Sequence, residues 1–133
     1  MDTIVKVGRR KTSVARCFFR SPKVAGGGKI VVNDRPMEVF FPVDILQIKV
    51  LQPFDVLNLN ASDYDILVNV KGGGITGQAE AIRMGFSRVL VEMNEENKKP
   101  LRSAGFITRD SRMVERKKPG QPKARKKTQF SKR

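Results

Sequence analysis

The last 18 residues, 116–133, hold nine Lys or Arg, no acid and a single large apolar side chain, Phe130. A segment this charged has too little apolar area to offset the entropy of ordering itself. Pro119, Gly120 and Pro122 interrupt any regular element within it. The core must therefore be built by what precedes it. Residues 1–105 carry 16 basic and 11 acidic side chains, whereas residues 106–133 carry 11 and 2, so +9 of the net charge of +14 sits in the final 28 residues. The chain thus divides into a body, 1–105, large enough for one hydrophobic core, and an extended basic C-terminal tail, 106–133. A purely solubilising tail would be served as well by mixed charges, so the absence of acids points to an anionic surface. Fully extended, 18 residues reach about 60 Å at ~3.3 Å each, far enough to touch something distant from the body.

Composition narrows the chemistry. A chain that is 39% hydrophobic, with 11 glycines among 133 residues, is globular in its main part. Without any His and with one Cys, it has no His-based acid–base pair, no Cys–His nucleophile and no Cys/His zinc site; only a carboxylate-ligated metal survives. Cys17 has no intrachain partner for a disulfide, which favours a reducing, intracellular setting. No apolar run approaches the ~18 residues of a membrane span, and the N-terminal stretch MDTIVKVGRRKT reads neither as a secretory signal nor as a transit peptide. A sequence pI near 10.5 makes a polyanion the expected partner, nucleic acid before acidic membrane.

Within the body, residues 3–10 and 13–20 read as a hairpin. In the second strand Ala15, Cys17 and Phe19 fall on one face and Arg16, Phe18 and Arg20 on the other, so Cys17 is expected as a small buried hydrophobe. Glycines 26–28 mark a turn, and residues 29–32 a short third strand ending at the Asn33-Asp34 turn signal. Pro42 suits the first turn of a helix that runs to Leu51 and is stopped by Pro53. Its apolar residues Val43, Ile45, Leu46, Ile48, Val50 and Leu51 surround it, which predicts cover on more than one side. Residues 64–71 alternate cleanly, with Tyr64, Ile66, Val68 and Val70 on one side. A helix is expected over 77–94, with Ala79, Ile82, Phe86, Val89, Leu90 and Met93 on its buried stripe and Arg83, Ser87 and Arg88 opposite. The order is β-β-β-α-β-α, an α+β two-layer sandwich.

Two local motifs bear on function. The segment GGGITGQA, residues 72–79, joins a strand to a helix, and Gly72 and Gly77 match the outer glycines of a nucleotide-triphosphate loop. Gln78 and Ala79 stand where that loop needs a Lys for the phosphates and a hydroxyl for Mg²⁺, so triphosphate turnover is not expected. What remains is glycine backbone opening a helix, which serves equally as a tight connection or as a seat for one phosphate, with Arg83 adding charge. In GRRKTSVAR, residues 8–16, three successive cations, Arg9, Arg10 and Lys11, fall in the hairpin turn, where a solvated turn is the ordinary reading, and Arg9-Arg10 followed by Thr12 and Ser13 also resembles a phosphorylation site. The acid pairs Asp63/Asp65 and Glu95/Glu96 are placed in exposed polar links, away from any cleft. A free nucleic-acid-binding protein and a phosphate-transferring enzyme are the rivals that composition leaves standing.

Taken together, GRRK at 8–11, GGGITGQAEAIRMGFSRVL at 72–90, TRDSRMVERKK at 108–118 and KARKKTQFSKR at 123–133 resemble the small-subunit ribosomal protein S-nine family in its bacterial or organelle-encoded form. The resemblance spans nearly the whole chain. It implies a sandwich like the second domain of ribosomal protein S-five, with a left-handed β-α-β crossover against the usual hand. It implies no enzymatic activity, no cofactor and no metal, and it puts the body in the head of the small subunit beside neighbouring ribosomal proteins. Small-subunit ribosomal RNA would be bound by Arg9, Arg10, Lys11, Gly72, Gly73, Gly74, Gln78 and Arg83. Along the tail the same RNA would meet Arg109, Arg112, Arg116, Lys117, Lys118, Lys123, Arg125, Lys126 and Lys127. Ser131, Lys132 and Arg133 would approach the P-site tRNA. Such a protein is cytoplasmic, or lies in an organelle matrix or stroma if encoded there. Pro119, Pro122 and glycines 26–28 depart from the family pattern and bear on the tail's path and the hairpin's contacts.

Overall fold

The computed structural model describes residues 3–22 and 26–107; the readings made above for Arg109, Arg112, Arg116 and all later residues lie outside that range. Strands β1 (Ile4–Arg10) and β2 (Ser13–Arg20) form the expected hairpin. Its two-residue turn forces Lys11 to φ 54°, the left-handed region that such turns demand and that side chains other than Gly, Asn and Asp seldom adopt. β3 (Ile30–Val32) turns at Asn33 and Asp34, both at positive φ, into a two-residue β4 (Arg35–Pro36). The sequence pattern ends the strands at that turn because two residues carry no alternation. β5 (Asp65–Lys71) lies between β2 and β3, antiparallel to the first and parallel to the second, giving the order β1-β2-β5-β3-β4. The Asn33 amide extends the parallel ladder by donating to the Val70 carbonyl and accepting its N–H, each at 2.8 Å.

Between β4 and β5 run a single turn of helix, α1 (Met37–Phe40), and α2 (Asp44–Val56). α2 departs from expectation in three ways. It starts at Asp44 rather than at Pro42. It also passes through Pro53, which is buried together with Phe54 in the last turn; a proline there forfeits one backbone bond, and burying the two rings outweighs that loss. The predicted cover on more than one side is absent: Leu46 and Val50 face the core, but Val43, Ile45 and Ile48 are exposed, Ile45 at 70%, because no described element lies beyond them.

The helix α3 (Ile75–Met93) begins two residues earlier than its periodicity suggests and packs across β1 and β2. The stripe Ala79, Ile82, Phe86, Val89 and Leu90 is fully buried and Met93 partly so. Ser87, expected on the polar face, is also fully buried; its hydroxyl donates to the Arg83 carbonyl at 2.8 Å, so no polar group is orphaned. The helix approaches the sheet backbone to backbone. A Cβ on Gly8 would lie 1.9 Å from the Ala81 carbonyl oxygen, and one on Gly85 would lie 2.5 Å from the Cys17 Sγ. Cys17 is buried, as read from the sequence, and burial pushes its thiol pKa up. Arg88 donates to the Val7 carbonyl at 2.8 Å and the Arg9 N–H points to the Met84 Sδ at 3.5 Å, so α3 side chains cover part of the free edge of β1.

The centre of the core is aromatic. Phe19 of β2 meets Phe86 of α3 edge-on at 5.3 Å and stacks near Phe54 of α2 at 6.1 Å, with Tyr64 at 5.7 Å. Rings from both main helices and from the approach to β5 thus converge on Phe19. After α3 comes a short α4 (Lys98–Ser103), which buries Leu101 and ends at Gly105 with φ 80°. Phe106 and Ile107 still pack against the core. No described helix is long and apolar enough to cross a membrane.

Candidate nucleic-acid interface

The two motifs singled out in the sequence lie against each other. Gly72 and Gly73 have φ 83° and 62°, a conformation that glycine adopts without strain. A Cβ on Gly72 would meet the Thr12 carbonyl oxygen at 2.4 Å, and one on Gly73 the Ser13 Oγ at 2.3 Å. Ser13 Oγ donates to the Gly72 carbonyl at 2.9 Å, holding the loop to the hairpin. The glycines therefore serve close packing as well as loop geometry, and that packing sets Arg9, Arg10 and Lys11 beside the start of α3.

That helix start is uncapped by any side chain. Gly74 is the N-cap residue, and a Cβ built there meets nothing within 4 Å. The first-turn N–H groups of α3 lack partners within the helix, and the positive end of its dipole adds to them. This is the geometry that seats a phosphate. Gln78 does not point freely outward: its amide donates back to the Gly72 carbonyl at 3.2 Å.

Arg10 and Arg83 sit deeper. The Arg10 Nε donates to the Glu80 carboxylate at 2.9 Å, and Lys49 of α2 reaches its other oxygen at 3.6 Å. Burial alone would raise the Glu80 carboxyl pKa, but the Arg10 hydrogen bond and the charges of Lys49, Arg10 and Arg83 outweigh burial and hold it below its ordinary value. Arg83 was expected on an open polar face. Instead it is half-buried: it donates to the Gln52 Oε1 at 2.8 Å, and its guanidinium lies 4.7 Å above the Phe106 ring. Burial pulls its pKa down; Glu80 partly restores it and Arg10 opposes that. Arg9, Arg10, Glu80, Arg83, Met84, Gly105 and Phe106 line one cleft of about 220 Å³. Arg83 thus braces α2 and the end of the described chain as much as it contributes charge.

Lys49 escaped sequence reasoning because nothing local links it to Glu80, 31 residues on. Asp65, read as part of a polar link, lies in β5 and accepts the Lys29 N–H at 3.2 Å; Glu95 and Glu96 are exposed in a 3₁₀ turn.

Comparison with known proteins supplies the context for this interface. Residues 8–133 match the family model described as ribosomal protein S9/S16. The chain is similar, at 54% identity over the full length of both chains, to the small ribosomal subunit protein uS9 of Azobacteroides pseudotrichonymphae and to that of Porphyromonas gingivalis. It is similar at 55%, again over the full length of both, to the uS9 of Cytophaga hutchinsonii.

Proposed function

The chain belongs to the ribosomal protein S9/S16 family, structural constituents of the small ribosomal subunit and not enzymes, and on that premise we propose that it holds small-subunit ribosomal RNA in the head by its basic turn and glycine loop. Arg9, Arg10 and Lys11 neutralise phosphates, while the N–H groups at the start of α3 and the Gly72, Gly73 and Gly74 backbone seat one more. Gln78 steadies the loop, and Arg83 adds charge from within its cleft. The observation that carries this reading is the packing of Gly72 against Thr12, which gathers two sequence-distant phosphate-binding devices into one surface. As a small-subunit protein it partners ribosomal RNA and other ribosomal proteins.

The finer reading concerns the tail, 106–133, which is anchored to the core by Phe106 and Ile107 and beyond them acts as a unit separate from the body. Arg109, Arg112, Arg116, Lys117, Lys118, Lys123, Arg125, Lys126 and Lys127 run among RNA strands and displace counterions, with the ordering cost offset by electrostatics. Ser131, Lys132 and Arg133 contact the backbone of the P-site tRNA. Phosphate contacts carry no base information, which suits a site that accepts every tRNA. The β3-to-β5 crossover through α1 and α2 is left-handed, as in the second domain of ribosomal protein S-five. The particle is cytoplasmic.

The test is the salt dependence of ribosomal RNA binding by the full-length chain. Each phosphate left without its cation flattens the log–log slope by ~0.7–0.9. Alanine at Arg9, Arg10 and Lys11 should flatten it by about 2–3 on that scale, and removal of 116–133 by more. A shallow slope in the intact chain defeats the reading. Deleting 131–133 should leave subunit assembly intact and weaken P-site tRNA retention; unchanged retention defeats the tRNA contact.

A further inference from the structure

The helices cover one face of the sheet, and the register defines what the other presents. Val5 pairs with Phe18, Phe18 with Leu67, and Leu67 with Val31. Paired residues share a face, so these four form a continuous apolar row across four strands. Val5 is 42% exposed, and Phe18, Leu67 and Val31 are only partly buried. Among the described residues four exposed cations share that face, Arg16, Arg20, Arg9 and Lys71, against one strand carboxylate, Asp65. The Arg16 guanidinium already lies 5.7 Å over the Phe18 ring.

An apolar row between guanidinium groups is costly to leave in water and a poor match to another cationic surface. The chain's own tail, with nine cations and no acid in 116–133, is repelled by it. Unpaired nucleotides satisfy both halves at once: the bases have π faces for Phe18 and for the plane of Arg16, and the phosphates meet the four cations. A duplex keeps its base faces stacked and offers Phe18 nothing.

We propose that the open face of the sheet, centred on Phe18 and Arg16, is a second RNA surface that takes unpaired nucleotides of the ribosomal RNA by stacking. It adjoins the turn-and-loop surface described above at Arg9 and extends away from it across the sheet, and it rests on the reading of the chain as a binder of ribosomal RNA.

The experiment uses small subunits reconstituted with the full-length chain, irradiated at short wavelength and digested with trypsin. Cleavage after Arg16 and Arg20 releases residues 17–20, and the expected result is a nucleotide adduct on Phe18 in that peptide, absent in Phe18→Leu. In parallel, the double variants Arg16→Glu/Arg20→Glu and Arg16→Ala/Arg20→Ala are compared with the wild type for binding of purified ribosomal RNA. The expected losses are ~10-fold or more for the reversal and a smaller loss for the neutral pair. Wild-type binding with no loss in either variant overturns this surface alone; failure of the wild type to bind overturns the proposed function along with it. Equal reactivity of Arg16 and Arg20 toward an arginine-specific dicarbonyl in free protein and in intact subunits would also overturn it. So would a cross-link from Phe18 to protein, whether a neighbour or the chain's own tail.

Discussion

Phe18 and Phe19 are chain neighbours with opposite duties. Phe19 is fully enclosed at the meeting point of β2, α2 and α3, whereas Phe18 lies on the uncovered side of the same strand beneath an arginine. The two faces of β2 continue the contrast. Ala15 and Cys17 are small because α3 approaches closely, and Arg16 and Arg20 are long because nothing in the described chain lies over them. One alternation of period two thus separates the residues that make the fold from those free to meet a partner.

That contrast can be broken by measurement, the largest effect first. Phe19→Ala should destabilise the protein by about 3–5 kcal/mol in urea unfolding, since it empties the centre of the aromatic cluster; a cost near that of an exposed site would mean the cluster does not organise the core. Gly8→Ala drives a methyl into the Ala81 carbonyl oxygen, which belongs to backbone and cannot rotate away. A loss of about 1–3 kcal/mol is expected, and a neutral result would show that β1 and α3 separate easily. Glu80→Gln removes the shared partner of Arg10 and Lys49 and should cost about 1 kcal/mol at neutral pH.

The sign of the pH effect follows from the Glu80 carboxyl being held below its ordinary value in the fold. Its stabilising contribution is present above the unfolded carboxylate pKa, about 4.3, and is lost as pH falls through the lower folded value. Unfolding curves from pH 6 downward should therefore show a decline in the wild type that is shallower in Glu80→Gln; identical profiles would remove Glu80 from the account. Phe18→Ala should change stability least, by under about 1 kcal/mol. If it costs as much as Phe19→Ala, the two faces are not functionally separate.

How legible each region was in sequence follows from the range of its determinants. The α3 stripe and the alternation of β5 are local patterns, and both elements lie where periodicity puts them. α2 misled because its apolar residues surround it and because proline is read as a stop, while tertiary burial of Pro53 and Phe54 decided otherwise. The site was legible in its pieces, three cations at the hairpin and glycines before a helix, although only Lys11 lies in the turn itself and Arg9 and Arg10 end strand β1. The contact between those pieces was not, since Gly72 and Thr12 are 60 residues apart and meet only through the β1-β2-β5 pairing. Glu80 as the hub for Arg10 and Lys49, and Phe106 beneath Arg83, are likewise products of three-dimensional proximity.

The margin of the sheet carries one more consequence. Its outer strand on one side has the Val7 carbonyl taken by Arg88 and the Arg9 amide turned toward Met84, and on the other side β4 is two residues long and ends in proline. The half of the β1 edge nearest the hairpin turn and the whole of the β4 edge are therefore poor templates for a second strand. A surplus of chains synthesised ahead of their nucleic acid is expected to polymerise into fibres less readily than the hydrophobic row displayed on the sheet would suggest, because pairing is confined to the first residues of the outer strand.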